Sequence, residues 1–245
     1  EYYITNKEVK MFKKNSFVIL SIFFAVIILC SCSPAIKISI SDENKISYSF
    51  SATIADSITD IAKSFSDLPE DSSLFDSIKI QQTLQNTGFN TVEVKQPDNN
   101  SIEISGSLTK ETEDSTQQVL QNAISVTSSE IKLNLSANII QKILETIPSE
   151  TAEYIELLSA PILTGEIMTP EEYSELMAAV YGEKAVNALN TSKVFITVNT
   201  EKPITNVSAS ISECSTEIDH TKVIFSFPLV NFLTFSEEIV FCVQF

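Results

Sequence analysis

Two hydrophobic rhythms alternate along this chain. In AIKISIS and then KISYSFSATI, apolar residues fall at every second position. Ile46, Tyr48, Phe50, Ala52 and Ile54 share one side of the second stretch, with polar residues between them. A period of two sends successive side chains to opposite faces, so each stretch predicts a half-buried strand. The DEN between them is a turn signal, and the pair predicts a hairpin. The rhythm then changes. In DSITDIAKSFSDL, Ile58, Ile61, Phe65 and Leu68 recur at helical spacing, with Asp56 or Ser57 as cap and Leu68-Pro69 as the stop. A second helix is predicted over SSLFDSIKIQQTLQNT, opened by Asp71 or Ser72 and closed by Gly88. NTVEV and SIEISGSL flank QPDNN and predict a second hairpin.

KETEDSTQQVLQNAISV reads as a helix, and EIKLNLS as a strand. A helical insertion is then expected over about residues 138–190. NIIQKILETI carries Ile139, Ile140, Ile143, Leu144 and Ile147 on one stripe, and SETAEYIELLSA follows Pro148. The strongest local signal comes next: Thr169 as N-cap, Pro170 at the first helical position and Glu172 at the third, a capping box. Tyr173, Leu176, Met177 and Val180 are the expected apolar face of that helix, Gly182 stops it, and EKAVNALN leads out as a short turn. The tail returns to strands: KVFITVNT, ITNVSASISE, TKVIFSFPL and EEIVFCVQF. Strands at both ends and helices between them predict an α+β fold. We expect the N- and C-terminal strands to form one antiparallel sheet, with the helical middle packed on one face.

Ahead of all this lies MFKKNSFVILSIFFAVIILCSCSPAIK, residues 11–37. Lys13 and Lys14 form a positive start, and Phe17 to Cys30 is apolar except for Ser21. That run of 14 residues covers about 21 Å as a helix, against a hydrocarbon core roughly 30 Å thick. Its length suits an export signal better than a membrane span. Leu29-Cys30-Ser31-Cys32 resembles a bacterial lipobox. The resemblance implies a diacylglyceryl group on the Cys32 thiol, cleavage before Cys32 and acylation of the new amino terminus. Cys30 would leave with the signal. The other reading is an uncleaved membrane helix with two incidental thiols. One acyl chain is a marginal anchor, whereas two or more hold firmly. The expected organisation is an over-extended start at residues 1–10, a lipoprotein signal peptide at 11–31, the lipidated Cys and a short tether at 32–35, and an α+β envelope domain over 36–245.

The 245 residues carry a formal net charge of −16, and every basic residue is lysine. Nucleic acid calls for basic patches and arginine contacts, so it is not an expected partner. The acidity reads as a solvated surface. At 43% hydrophobic residues with 15 Phe, there is enough apolar material for a core. Besides the anchor Cys32, only Cys214 and Cys242 remain beyond the leader. A disulfide between them is allowed outside the cytoplasm; the alternative is two buried free thiols acting as small hydrophobes.

No catalytic motif appears. His220, the single histidine, sits in the polar stretch EIDHTK and reads as a surface turn. There is no HExxH, no CxxC and no glycine-rich phosphate loop, so neither zinc nor any other cofactor is expected. Asp98-Asn99-Asn100 lacks the spaced ligands of a calcium loop and reads as a β-turn. The abundant carboxylates leave a hydrolase with an unrecognised acidic pair as a third-ranked reading.

VFITVNTEKPITNVSASI and KVIFSFPLVNFLTFSEEIVFCVQF resemble the ending of LppM-like bacterial lipoproteins, through Pro203, Ile204, Val207, Phe225, Phe227, Pro228, Leu229 and Leu233. The resemblance implies a lipid-anchored domain with a curved sheet and helices around an apolar cavity, associated with envelope lipids or glycolipids. It supplies no catalytic residues, and the long helical middle has no counterpart in it. The expected function is therefore a non-enzymatic, lipid-anchored envelope protein that binds an apolar or lipid-like ligand. Ile143, Leu144, Leu158, Leu176, Met177, Phe225 and Phe227 are the candidate pocket residues. The alternative is a surface interaction, adhesion or assembly protein with a solid core.

Overall fold

The computed structural model describes residues 33–40, 46–56, 59, 73, 75, 77–86, 90–108, 123–138, 161 and 164–245. In chain order the elements are strands β1 (Ala35–Ile40) and β2 (Ile46–Thr53), helix α1 (Ser77–Asn86), and strands β3 (Asn90–Lys95), β4 (Ser101–Leu108), β5 (Ile124–Val126) and β6 (Glu130–Leu135). Helices α2 (Pro170–Tyr181) and α3 (Glu183–Thr191) follow, then β7 (Lys193–Asn199), β8 (Asn206–Ala209), β9 (Ser215–Asp219) and β10 (Lys222–Pro228). A five-residue helix α4 (Leu229–Leu233) leads to β11 (Ile239–Gln244). The fold is mixed α+β with a large, mainly antiparallel sheet.

The strands form two sheets rather than the single sheet expected. The larger has seven strands in the order β3-β4-β2-β1-β7-β10-β9, and the smaller has four in the order β5-β6-β11-β8. N- and C-terminal strands do meet, through β1 and β7, but that pair is parallel. The remaining pairs are antiparallel. β11, the last strand, leaves the larger sheet and pairs with β6 and β8 instead.

Alternation explains why two sheets are needed. Five strands of the larger sheet have one apolar side: Ile38 on β1, Phe50 and Ala52 on β2, Ile102 and Ile104 on β4, Val194, Ile196 and Val198 on β7, Val223, Phe225 and Phe227 on β10. In the smaller sheet Ile131, Leu133, Ile239, Phe241 and Val243 play the same part. Rings cross from one sheet to the other: Phe241 lies 5.1 Å from Phe225 and 5.6 Å from Phe227, centroid to centroid. Tilted and offset aromatic pairs at such distances add to the area they bury. All these residues belong to one core cluster.

The helices near the C-terminal strands have clear local causes. Thr169 Oγ1 accepts from Glu172 N at 3.2 Å, and Thr169 N donates to Glu172 Oε2 at 2.9 Å, so the capping box forms as the sequence predicts. Gly182 ends α2 at φ 83°, a conformation glycine adopts freely. EKAVNALN, read as a turn, is helix α3, because Ala185, Val186 and Leu189 fall on one face and bury there. The tail of the helix expected over residues 110–126 is instead strand β5, and the polar STEID segment is edge strand β9. α4 is wholly buried and packs against α2, α3, β7 and β10. The predicted helices at 139–160, and most of the one at 56–68, lie outside the described residues.

Two positions give tests of this framework. A Cβ at Gly106 would sit 2.5 Å from Tyr48 Oη and 2.9 Å from its Cζ. Gly106→Ala should therefore lower stability by about 1–3 kcal/mol, the usual cost of overpacking, measured by thermal unfolding. Phe241→Ala should cost more, about 3–5 kcal/mol, because it empties the contact between the sheets; an unchanged melting temperature would contradict that packing.

Candidate functional site

Of the candidate pocket residues, four are described: Leu176, Met177, Phe225 and Phe227. Phe225 is 0% exposed, Phe227 1% and Met177 2%. A side chain lining a ligand-sized cavity keeps surface that a small probe can touch, and these three keep essentially none. They are packed core. Leu176, placed beside Met177 on the expected apolar face, turns outward and is 42% exposed. Adjacent helix positions lie about 100° apart, so burying Met177 and Tyr173 carries Leu176 away from the core. Ile143, Leu144, Leu158 and the lipidation candidate Cys32 lie outside the described residues.

Among the described residues, a groove lies on the other side of the larger sheet, and most of the side chains that line it are polar. Three strands build it side by side. β1 contributes Lys37 and Ser39, β2 contributes Ser47 and Ser49, and β4 contributes Ser105 and Ser107. Register sets them in two rungs. Lys37 is opposite Ser49, which is opposite Ser105; Ser39 is opposite Ser47, which is opposite Ser107. Directly opposed residues point to the same face. Tyr48 and Gly106 lie between the rungs, and Thr91 closes the side toward β3. The groove is open and measures about 430 Å³.

The two rungs differ chemically. In the second, the hydroxyls are used within the protein. Ser39 Oγ accepts from Asn199 Nδ2 at 2.9 Å, Ser47 Oγ donates to Ser39 O at 3.4 Å, and Ser107 Oγ lies 3.1 Å from Thr91 Oγ1. In the first rung, neither Ser49 nor Ser105 makes a side-chain hydrogen bond among the described residues, and no described carboxylate lies within ion-pair distance of Lys37. Thr91 owes its place to a register shift between Asn90 and Glu93, and its φ is 54°. A bulge of this kind re-aims a side chain; here it turns the Thr91 hydroxyl onto Ser107. A β-branched residue at positive φ is strained.

Reading the sequence missed this groove. Ser47, Ser49, Ser105 and Ser107 were visible only as the polar half of an alternation. The signal available was the density of serine at alternate positions of SYSFS and SGS. Which strands lie side by side is a long-range fact that the spacing does not carry.

The other singled-out positions have structural roles. His220 has φ 42° in the turn joining β9 to β10, and its carbonyl accepts from Ile204 N at 2.7 Å. Asp98 accepts from Asn100 N at 2.9 Å and from Ser101 Oγ at 3.0 Å, which fixes the β3–β4 turn. No group of three metal-ligating side chains occurs among the described residues. No helix among them is long and apolar enough to cross a membrane.

Cys214 and Cys242 are both free, so the bridge considered from sequence is not formed. Cys214 precedes the edge strand β9 of the larger sheet. Cys242 lies on the outward side of the smaller sheet, opposite Lys132 and Ser208. Gln244 Nε2 at 3.2 Å and Cys242 Sγ at 3.3 Å both donate to Glu130 Oε2. These two bonds hold the Glu130 carboxyl below its ordinary value. Burial first, and then the neighbouring Glu130, push the Cys242 thiol up. Burial also raises Cys214.

A carboxyl whose value is lower in the folded chain stabilises the fold above its unfolded value, and that stability is lost as pH falls through the folded one. Glu130→Gln should therefore flatten the acid limb of the stability curve below the ordinary glutamate range. The same variant should speed alkylation of Cys242 by iodoacetamide at pH 8, read on its peptide by mass spectrometry. A rate that does not move would dissociate the thiol from Glu130.

No protein-family model, no curated protein and no solved structure matches this chain.

Proposed function

We propose that this chain is a non-enzymatic bacterial lipoprotein, anchored through Cys32 to a membrane of the cell envelope outside the cytoplasm, that works through its outer surfaces as an interaction protein. The lipobox-like LCSC and the short apolar leader support the anchor. The observation that carries the interaction reading is the filled core. Met177, Phe225 and Phe227 are all packed into the core cluster. In this reading the helical middle covers part of the larger sheet, and the LppM-like resemblance extends to the anchor and the sheet but not to a cavity at those three residues.

A second reading keeps an apolar or lipid-like ligand and places it on the helices. It is favoured by exposed apolar side chains along and just before α2: Ile167 at 82%, Val180 at 53% and Leu176 at 42%. Ile143, Leu144 and Leu158 would complete such a site.

Two measurements separate these. Labelled palmitate fed to a bacterium expressing the full chain should enter the protein, and Cys32→Ala should abolish the label; undiminished labelling would remove the anchor. Native mass spectrometry of the full chain released from detergent should show the protein and its covalent lipid alone. A further bound lipid, lost in Leu176→Glu, would favour the second reading over the first.

A further inference from the structure

The groove across β1, β2 and β4 is more than an unfilled surface. We propose that it is a binding site for an anionic saccharide, a sugar carrying a carboxylate, with Lys37 holding the charge and Ser49 and Ser105 holding hydroxyls. The inference builds on the surface-interaction reading above, but it needs the groove alone and not the anchor.

The argument starts from spacing. Neighbouring strands lie about 4.8 Å apart, and same-face residues on one strand about 6.7 Å apart. The two rungs therefore present a small lattice of hydroxyls on a rigid backbone, with one ammonium at its edge. Hydroxyls both donate and accept, which suits a polyol. The lattice suits a ligand rich in donors and acceptors, and Val, Leu, Ile and Met are all missing from the lining.

The division of labour between the rungs points the same way. Ser39, Ser47 and Ser107 spend their hydroxyls on neighbours, which fixes the wall of the groove. Lys37, Ser49 and Ser105 lie in line, opposite one another in register, with no partner among the described residues. A cation followed by two hydroxyls across about 10 Å, two strand spacings, matches an acidic sugar unit with the hydroxyls of its neighbour. The size agrees: about 430 Å³ falls within the usual range of small-molecule sites.

Lys37 puts a positive charge at the β1 end of the groove, although the chain is acidic overall. At physiological salt, fields fade over about 8 Å, so the groove's own lining counts most. Lys37 is the charged residue among that lining. Glu93, further along the same rung on β3, is engaged by Lys95 at 3.1 Å. Glu103 belongs to the next rung, opposite Ser51, about 6.7 Å along β4 from Ser105 and two strands away from Lys37. The strained Thr91 at the rim gives the groove a side wall where a regular strand would leave it flat.

The test is isothermal titration of the full chain in detergent with trigalacturonate, maltotriose, inorganic phosphate and phosphatidylglycerol vesicles. Trigalacturonate should bind, and the other three at least tenfold more weakly. Lys37→Gln should weaken trigalacturonate tenfold or more, and Ser49→Leu, which fills the groove, should abolish it. Both positions are on an open sheet face, and unchanged thermal unfolding of the variants certifies their fold. Absence of trigalacturonate binding overturns the proposal, as does binding that Lys37→Gln leaves intact. Equal binding of maltotriose would show that charge is not read. Equal binding of phosphate would show that the hydroxyls are not read, and preferential binding of vesicles would make the ligand a membrane headgroup; each of these also overturns it. Loss of the lipid anchor in Cys32→Ala should leave trigalacturonate affinity unchanged, so failure of the anchor and failure of the groove are separately visible.

Discussion

Phe241 is the residue on which the architecture turns. It stands on the last strand, yet its ring packs on Phe225 and Phe227 of β10, in the other sheet. That contact joins seven strands to four. It also explains the path of the chain after β10. Pro228 ends the strand, the buried helix α4 carries the chain away from the larger sheet, and β11 returns in the smaller one. Phe232 on α4 lies 6.4 Å from Phe227 and 5.8 Å from Phe235, so the crossing is itself packed with rings. A chain with four glycines and no tryptophan builds its center from phenylalanine and β-branched residues, which lose little on entering strands.

Filling the space between the sheets has a functional consequence. Each sheet has two faces, and the core consumes one of them. What the larger sheet offers to its surroundings is the other side of the same alternation. On β1, β2 and β4 that side is mostly serine and threonine, with Lys37 and Glu103. The polar groove and the apolar core are thus a single pattern seen from opposite sides. A one-residue slip of β2 would exchange them, placing Ser47 and Ser49 inside and Phe50 outside. The register that protects the core also places Lys37, Ser49 and Ser105 in line. Gly106 serves both: its missing Cβ makes room for the Tyr48 ring, while its neighbours Ser105 and Ser107 face the groove.

Local order was legible wherever the cause was local. The Thr169–Glu172 capping box, the Gly182 stop, the β3–β4 turn around Asp98 and nine of the strands follow from residues near in sequence. The errors share one cause. EKAVNALN was too short for its periodicity to stand out, and it became α3 because Ala185, Val186 and Leu189 found a surface to bury against. STEID carries no alternation of hydrophobicity, and it is a strand because β10 offers it an edge. Met177 was placed correctly on an inward face, but the sequence could not distinguish a face lining a cavity from a face lost in a core.

The amino-acid sequence by itself determined the two rhythms, the α+β class, the acidic surface, the lipobox-like leader and the caps. All of these depend on neighbours within a turn or a strand. The tertiary structure decided that β1 runs parallel to β7, that β11 deserts the larger sheet, and that Phe225 and Phe227 are core. It also decided that three separate serine-bearing strands form one groove. Those outcomes rest on contacts between residues tens to hundreds of positions apart, where a period of two tells which residues share a face but not which strand lies beside which.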